Sequence, residues 1–171
     1  MLSGVPRPNL LLVLLALVVP AAGSAAPASA PATGQAALLS PLSVVKNGDL
    51  DFGDLVAGGA GTAVIDPVGG ALAATGGVIR VGTSAHPATF TGTGSKNSVV
   101  HIRLPTSPIT VTRAGGTETM TVSNFTLDGL ANRKVPPSDV FTFAVGGTLN
   151  VAAGQAQGTY AGTFTVTVQY P

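Results

Sequence analysis

Past the first forty residues, apolar and polar side chains alternate with a period of two. The clearest stretch is Thr159–Tyr170, TYAGTFTVTVQY. There Tyr160, Gly162, Phe164, Val166, Val168 and Tyr170 share one face, while the threonines, Ala161 and Gln169 share the other. β-Branched and aromatic residues alternating with threonine mark a half-buried strand. Phe141, Phe143 and Val145 alternate in the same way, as do Met120 and Val122, and Gly77–Val81 and Val99–Leu104 are shorter runs. No stretch of this region carries a helical period. Glycine pairs at Gly58-Gly59, Gly69-Gly70, Gly76-Gly77, Gly115-Gly116 and Gly146-Gly147 punctuate the runs, and Asn47-Gly48 is expected to close a type I′ hairpin. Short strands between closely spaced turns predict an all-β fold, an immunoglobulin-like β-sandwich of about nine strands.

The first forty residues follow a different pattern. Met1–Asn9 carries one basic side chain, Arg7; Leu10–Val19 is an unbroken apolar run; and small residues dominate from Pro20 to Ala30. A basic start, a short apolar run and a small-residue exit predict a cleaved secretory signal peptide over residues 1–25. The apolar run would rise only about 15 Å as a helix, half of a bilayer core of about 30 Å, so no membrane span is expected in the mature chain. The cut is placed near Ala25, with the A-x-A sequence Ala28-Ser29-Ala30 as the alternative. Residues 26–40, rich in Ala, Pro, Ser and Thr, read as a flexible leader. The β-domain is expected over residues 41–171, long enough to bury one core without staples.

Composition narrows the function. The chain has no cysteine, which removes disulfides, thiolate zinc sites and lipoprotein acylation. Arg7 is expected to leave with the signal peptide. Seven of the eight basic residues then face seven acidic ones, and no basic patch suggests nucleic acid as a partner. Titratable groups are sparse. His86 falls between turn-rich stretches, His101 lies in VVHIRL, and neither has partners at triad or metal-ligand spacing. Gly82-Thr83-Ser84-Ala85-His86 departs from a nucleophile elbow at its last position, and Gly92-Thr93-Gly94-Ser95-Lys96 lacks a phosphate-loop core and reads as a hairpin tip. Asn47, Asp49, Asp51 and Asp54 offer oxygen donors, but a strand here would place Asp49 and Asp51 in solvent with Leu50 and Phe52 inward. No enzyme, cofactor or metal is expected.

Two segments suggest assembly. Leu38, Ser40, Leu42 and Val44 alternate directly behind the leader, so Leu38, Leu42 and Val44 are candidate donor side chains for strand addition to a neighbour; the other reading is this domain's own first strand. Thr163–Tyr170 has low charge and no helix behind it, so Phe164, Val166 and Val168 form the apolar face of a last strand that would be open to another chain if it sits at a sheet edge.

The segment PLSVVKNGDLDFGDLVAG (Pro41–Gly58) resembles the opening of the bacterial exported family called domain of unknown function 4402. Gly77-Val78-Ile79 with Pro87-Ala88-Thr89-Phe90-Thr91, and the ending VGGTLNVAAGQAQGTYAGTFTVTVQY (Val145–Tyr170), resemble the same family. That resemblance implies an exported protein with no enzymatic activity. The pattern is also distantly similar to the spore coat U domain, which includes pilins of archaic chaperone–usher systems and often carries cysteines absent here. The expected function is therefore an exported structural or adhesive surface subunit, pilin-like, self-assembling or binding other surface proteins, with a periplasmic chaperone as a further partner. The alternative is a monomeric secreted module binding a glycan or surface protein. The expected location is the periplasm, the outer cell surface or the extracellular space.

Overall fold

The computed structural model describes residues 29–171, so the predicted signal peptide lies outside the described residues. Within them the regular structure is all β: β1 (Ser43–Gly48), β2 (Asp54–Ile65), β3 (Leu72–Val81), β4 (Ala88–Thr93), β5 (Val99–Arg103), β6 (Ile109–Arg113), β7 (Thr119–Leu127), β8 (Asn132–Lys134), β9 (Val140–Val151), β10 (Tyr160–Ala161) and β11 (Thr167–Gln169). Among the described residues no helix is long and apolar enough to cross a membrane.

The strands form two sheets. The larger runs β1-β4-β9-β7-β6-β10 and carries the β2–β3 hairpin on β9; the smaller runs β11-β5-β8. β9 is the spine. Along one side it pairs with β7; along the other its first half, Val140–Val145, pairs with β4 and its second half, Gly147–Val151, with β2. Gly146 sits at that handover. A Cβ there would lie 2.2 Å from the Ile65 carbonyl oxygen and 2.8 Å from Pro67 Cδ, so only glycine lets β2 replace β4 against β9.

Pleating sends alternate residues of β4 and β9 inward. Ala88, Phe90, Phe141, Phe143 and Val145 meet Val100 and Ile102 of the smaller sheet and Val135 in one core cluster, so the two sheets pack as a sandwich. Phe143 stacks on Phe90 with centroids 5.0 Å apart. A second cluster, with Ala63, Ile65, Leu72, Val78, Val111, Val122, Leu149 and Val151, lies under the other half of the large sheet. Leu50 and Phe125 touch both. The opposite faces of β4 and β9 present Thr89, Thr93 and Thr142 to solvent, as alternation requires.

Among the described residues the strands number eleven, where the sequence pattern predicts about nine. Part of the difference lies at the C-terminus. The run expected as one strand, Thr159–Tyr170, is split into β10, which pairs with β6 in the large sheet, and β11, which pairs with β5 in the small one. Residues 162–166 cross between the sheets outside any ladder. Asn47-Gly48 does not close a hairpin: both residues lie in β1, where the register against β4 slips between Lys46 and Gly48, and Asn47 donates its side-chain amide to Thr91 Oγ1 at 2.7 Å. The Lys96–Asn97 turn likewise joins β4 to β5 in different sheets and is no hairpin tip.

Three of the five glycine pairs lie within strands. Gly58-Gly59 and Gly76-Gly77 fall where the β2–β3 register breaks, between Ala57 and Gly61. A Cβ on Gly77 would be 2.5 Å from Gly59 Cα, so the bend holds two backbones in contact. Beyond it, Asp54–Ala57 with Val78–Val81 forms a ribbon that has left β9.

Candidate strand-acceptor groove

The bend in the β2–β3 ribbon leaves a groove in the larger sheet. Its base is the inward face of three neighbouring strands: Ile109 and Val111 from β6, Met120 and Val122 from β7, Leu149 and Val151 from β9. In sheet order β2 lies on one side of these strands and β10 on the other. One flank is therefore Leu50–Ala57 and the opposite flank Gln155–Phe164. The cavity measures about 970 Å³, at the top of the ~300–1,000 Å³ range of small-ligand sites. Val111, Val122, Leu149 and Val151 are buried at the bottom, and Leu50, Phe52, Leu55, Ile109, Met120, Tyr160 and Phe164 are half-buried around them.

Both flanks carry backbone outside a ladder. Asp54–Ala57 pairs with β3 on one side, while β9 pairs with only the Gly61–Ile65 part of β2, so among the described residues the other edge of Asp54–Ala57 has no strand paired to it. Across the groove, residues 162–166 belong to no strand. Unpaired edges over an apolar base are the arrangement that strand addition uses: main-chain hydrogen bonds attach the incoming segment and alternate side chains reach the base.

Ionic and polar contacts hold the second flank. Arg113 donates from Nε to Glu118 Oε2 at 2.7 Å and from Nη2 to Oε1 at 3.0 Å, closing the β6–β7 turn with a two-point ion pair. Arg113 also lies opposite Tyr160 in the β10–β6 ladder, and the Ala114 amide donates to the Thr159 carbonyl at 2.8 Å. The Tyr160 hydroxyl donates to the Ala156 carbonyl and accepts from Gln155 Nε2, each at 2.7 Å. The hydrogen bond from Arg113 holds the Glu118 carboxyl down at about 2. A carboxyl depressed on folding contributes stability at a pH above its ordinary value near 4.5, and loses it as the pH falls through that value towards 2. We therefore expect Glu118→Gln to melt below the parent at pH 7, with the difference closing by about pH 2. A gap in melting temperature that is constant with pH would contradict this reading of the pair.

The titratable residues singled out in the sequence do not converge. Asp51 and His86 meet through their backbones, with amide-to-carbonyl distances of 3.0 and 2.8 Å. His101 Nδ1 donates to Asn132 Oδ1 at 2.6 Å, on the smaller sheet. Asp49 is exposed and ion-paired with Lys46. Leu50 and Phe52 point inward as expected, although Leu50–Gly53 forms a loop joined to the sheet only by the Asp51–His86 bridge. No group of three metal-ligating side chains occurs among the described residues.

The candidate assembly residues separate into three groups. Leu38 is 99% exposed and Leu39 50%, ahead of any strand. Leu42 is half-buried against this domain's own core, and Val44 sits in β1 opposite Gly92 of β4. Phe164, Val166 and Val168 pack inward on the same core cluster, Phe164 also lining the groove and meeting the Phe125 ring at 5.0 Å; β11 is an edge of the smaller sheet. The groove base was not singled out by sequence, because its residues alternate like any core strand.

A family model described as Domain of unknown function (DUF4402) matches residues 42–170. The chain belongs to this family. The DUF4402 match runs from Leu42 through β11 and so contains the base and both flanks of the groove, while Leu38 and Leu39 lie just ahead of it. No curated protein and no solved structure matches the chain.

Proposed function

We propose that this DUF4402 protein is an exported, non-catalytic structural or adhesive subunit of the bacterial surface, pilin-like in that copies join by β-strand addition. The observation that carries the reading is the groove: an apolar base three strands wide, beside a four-residue backbone edge, Asp54–Ala57, without a ladder partner on that side. A second observation supports it. Leu38, almost fully exposed, is a large apolar residue that gains only by burial elsewhere. A groove of this kind needs cover before assembly, and a periplasmic chaperone offering an edge strand would provide it.

Light scattering on the protein and on a version starting at Pro41 tests the proposal. The longer form is expected to give oligomers and the shorter form a folded monomer. Monomers from both would remove self-assembly and turn attention to a glycan or surface-protein ligand. Point variants sharpen the test. Leu38→Asp is expected to abolish oligomers while changing stability by no more than about 0.5 kcal/mol, as for other exposed sites. Leu42→Asp is expected to lower the melting temperature, because Leu42 packs on this domain's own core. Loss of oligomers accompanied by equal melting changes in both variants would contradict this division of roles.

A further inference from the structure

The smaller sheet has one face on the core and one open to solvent. Val100, Ile102 and Val168 point inward, and Arg133 turns back on that side to Asp128 and the Phe143 ring. Alternation sends the residues between them outward. β5 presents His101 and Arg103, β8 presents Asn132 and Lys134, and β11 presents Thr167 and Gln169. The ladders set them side by side: His101 lies between Asn132 and Gln169, Arg103 is opposite Thr167, and Lys134 is opposite Val99. All six are exposed except His101, which is half-buried.

Positive charge gathers on this face. β5, β8 and β11 contain no acidic residue. Among the described residues Lys46, Lys96, Arg113 and Arg133 are ion-paired, whereas Arg80, Arg103 and Lys134 are not. Two of those three free cations stand here. The carboxylates without an ion pair, Asp51, Asp54 and Asp66, lie in or next to β2 in the other sheet. Arg103 and Lys134 are distant in sequence, and only the β5–β8 ladder brings them onto one surface. Between them His101 Nδ1 donates to Asn132 Oδ1 at 2.6 Å, which fixes the ring and leaves its other nitrogen without a protein partner among the described residues.

The spacing says what such a face can hold. Arg103 stands four residues along β5 from Val99, and Lys134 is opposite Val99 on the neighbouring strand. Their backbones are therefore about 14 Å apart. Side chains stand roughly perpendicular to a sheet, so the two charges stay similarly separated. One carboxylate or phosphate cannot meet both, but a chain bearing repeated anionic groups can. Its hydroxyls would meet the imidazole and amides between the two charges. Val99 is the only apolar residue this face shows among the described residues, too little to anchor in a lipid interface.

We propose that the outer face of the smaller sheet binds an acidic polysaccharide. Arg103 and Lys134 pair with separate carboxylates, and His101, Asn132 and Gln169 hydrogen-bond to the hydroxyls between them. This names a ligand for the adhesive reading above and rests on that reading, not on strand addition.

Retention of the purified protein on immobilised alginate, a polymer of carboxylated sugars, tests the site, with neutral dextran beside it. The parent is expected to bind alginate and not dextran, and to be released by salt, which screens exposed charges. Arg103→Glu and Lys134→Glu are each expected to abolish retention. Arg80→Glu makes the same change in net charge on β3 and is expected to bind like the parent. Arg103→Gln, Lys134→Gln and Arg80→Gln replace the set if a glutamate variant does not fold. A parent that passes over alginate overturns the site, as does an Arg80→Glu variant weakened as much as Arg103→Glu. Equal binding to vesicles of phosphatidylcholine and phosphatidylglycerol overturns it too, because the face would then recognise negative charge on a membrane as readily as a polysaccharide. Light scattering on the same samples separates the two ideas. Assembled protein that ignores alginate overturns this site alone, and a monomer that binds alginate overturns strand addition alone.

Discussion

Phe143→Ala is expected to lower the unfolding free energy by about 3–5 kcal/mol, the range for removing a buried aromatic ring. Phe143 is 2% exposed at the centre of the inter-sheet core. Its ring stacks on Phe90 at 5.0 Å and faces Phe141 at 6.3 Å, and the Arg133 guanidinium carbon lies 6.0 Å from its centroid. Collapse cannot readily fill the space, because the neighbours are held. Phe90 and Phe143 are opposite one another in the β4–β9 ladder, and Arg133 donates to the Thr142 and Leu130 carbonyls at 3.1 and 3.0 Å while pairing with Asp128. Against a typical total of about 5–15 kcal/mol, such a loss leaves a marginal domain. Urea unfolding of the Pro41-start form checks it without interference from assembly. A change below about 1 kcal/mol would mean that the two sheets do not share a packed core at this point.

Gly146→Ala is expected to cost about 3 kcal/mol or more, the upper end of what overpacking produces. The new methyl would sit 2.2 Å from the Ile65 carbonyl oxygen, which is backbone within a ladder. No rotamer change relieves that contact; β2 must move off β9. Since β2 also supplies Asp54–Ala57 to the groove, the variant is expected to lose assembly together with stability. Gly34→Ala is the matching control, for nothing lies within 4 Å of the added carbon there. Equal melting temperatures for the two variants would contradict the handover of β9 from β4 to β2.

The difference between these glycines explains where sequence reading stops. Gly69-Gly70 and Gly115-Gly116 do lie in turns, with positive φ at Gly70 and Gly115. Gly76-Gly77 and Gly146-Gly147 lie inside strands, where the missing side chain permits a close approach from a distant segment. Both uses write the same two letters. Alternation carries further, because pleating is local: Phe141, Phe143 and Val145 go inward as their spacing predicts, and Phe164, Val166 and Val168 keep one face although the segment ahead of β11 leaves the ladder. Strand pairing is not local, so the division of Thr159–Tyr170 between two sheets leaves no mark in its residues. The groove is harder still. Val111, Leu149 and Val151 satisfy a core pattern, and what distinguishes them is a bent ribbon that leaves Asp54–Ala57 open on one side. Leu38 stands out in the sequence as a large apolar residue behind a run of small ones, and the structure leaves it exposed.

Amide hydrogen exchange across Asp54–Ala57 tests the groove most directly. The comparison is between assembled parent protein and the Leu38→Asp, Leu39→Asp variant. Amides of this segment that point away from β3 are expected to exchange slowly in the assembled protein and fast in the variant, because a donated strand takes up their hydrogen bonds. Assemblies in which those amides exchange as fast as in the variant would contradict the account, for copies would then be joining somewhere other than the groove.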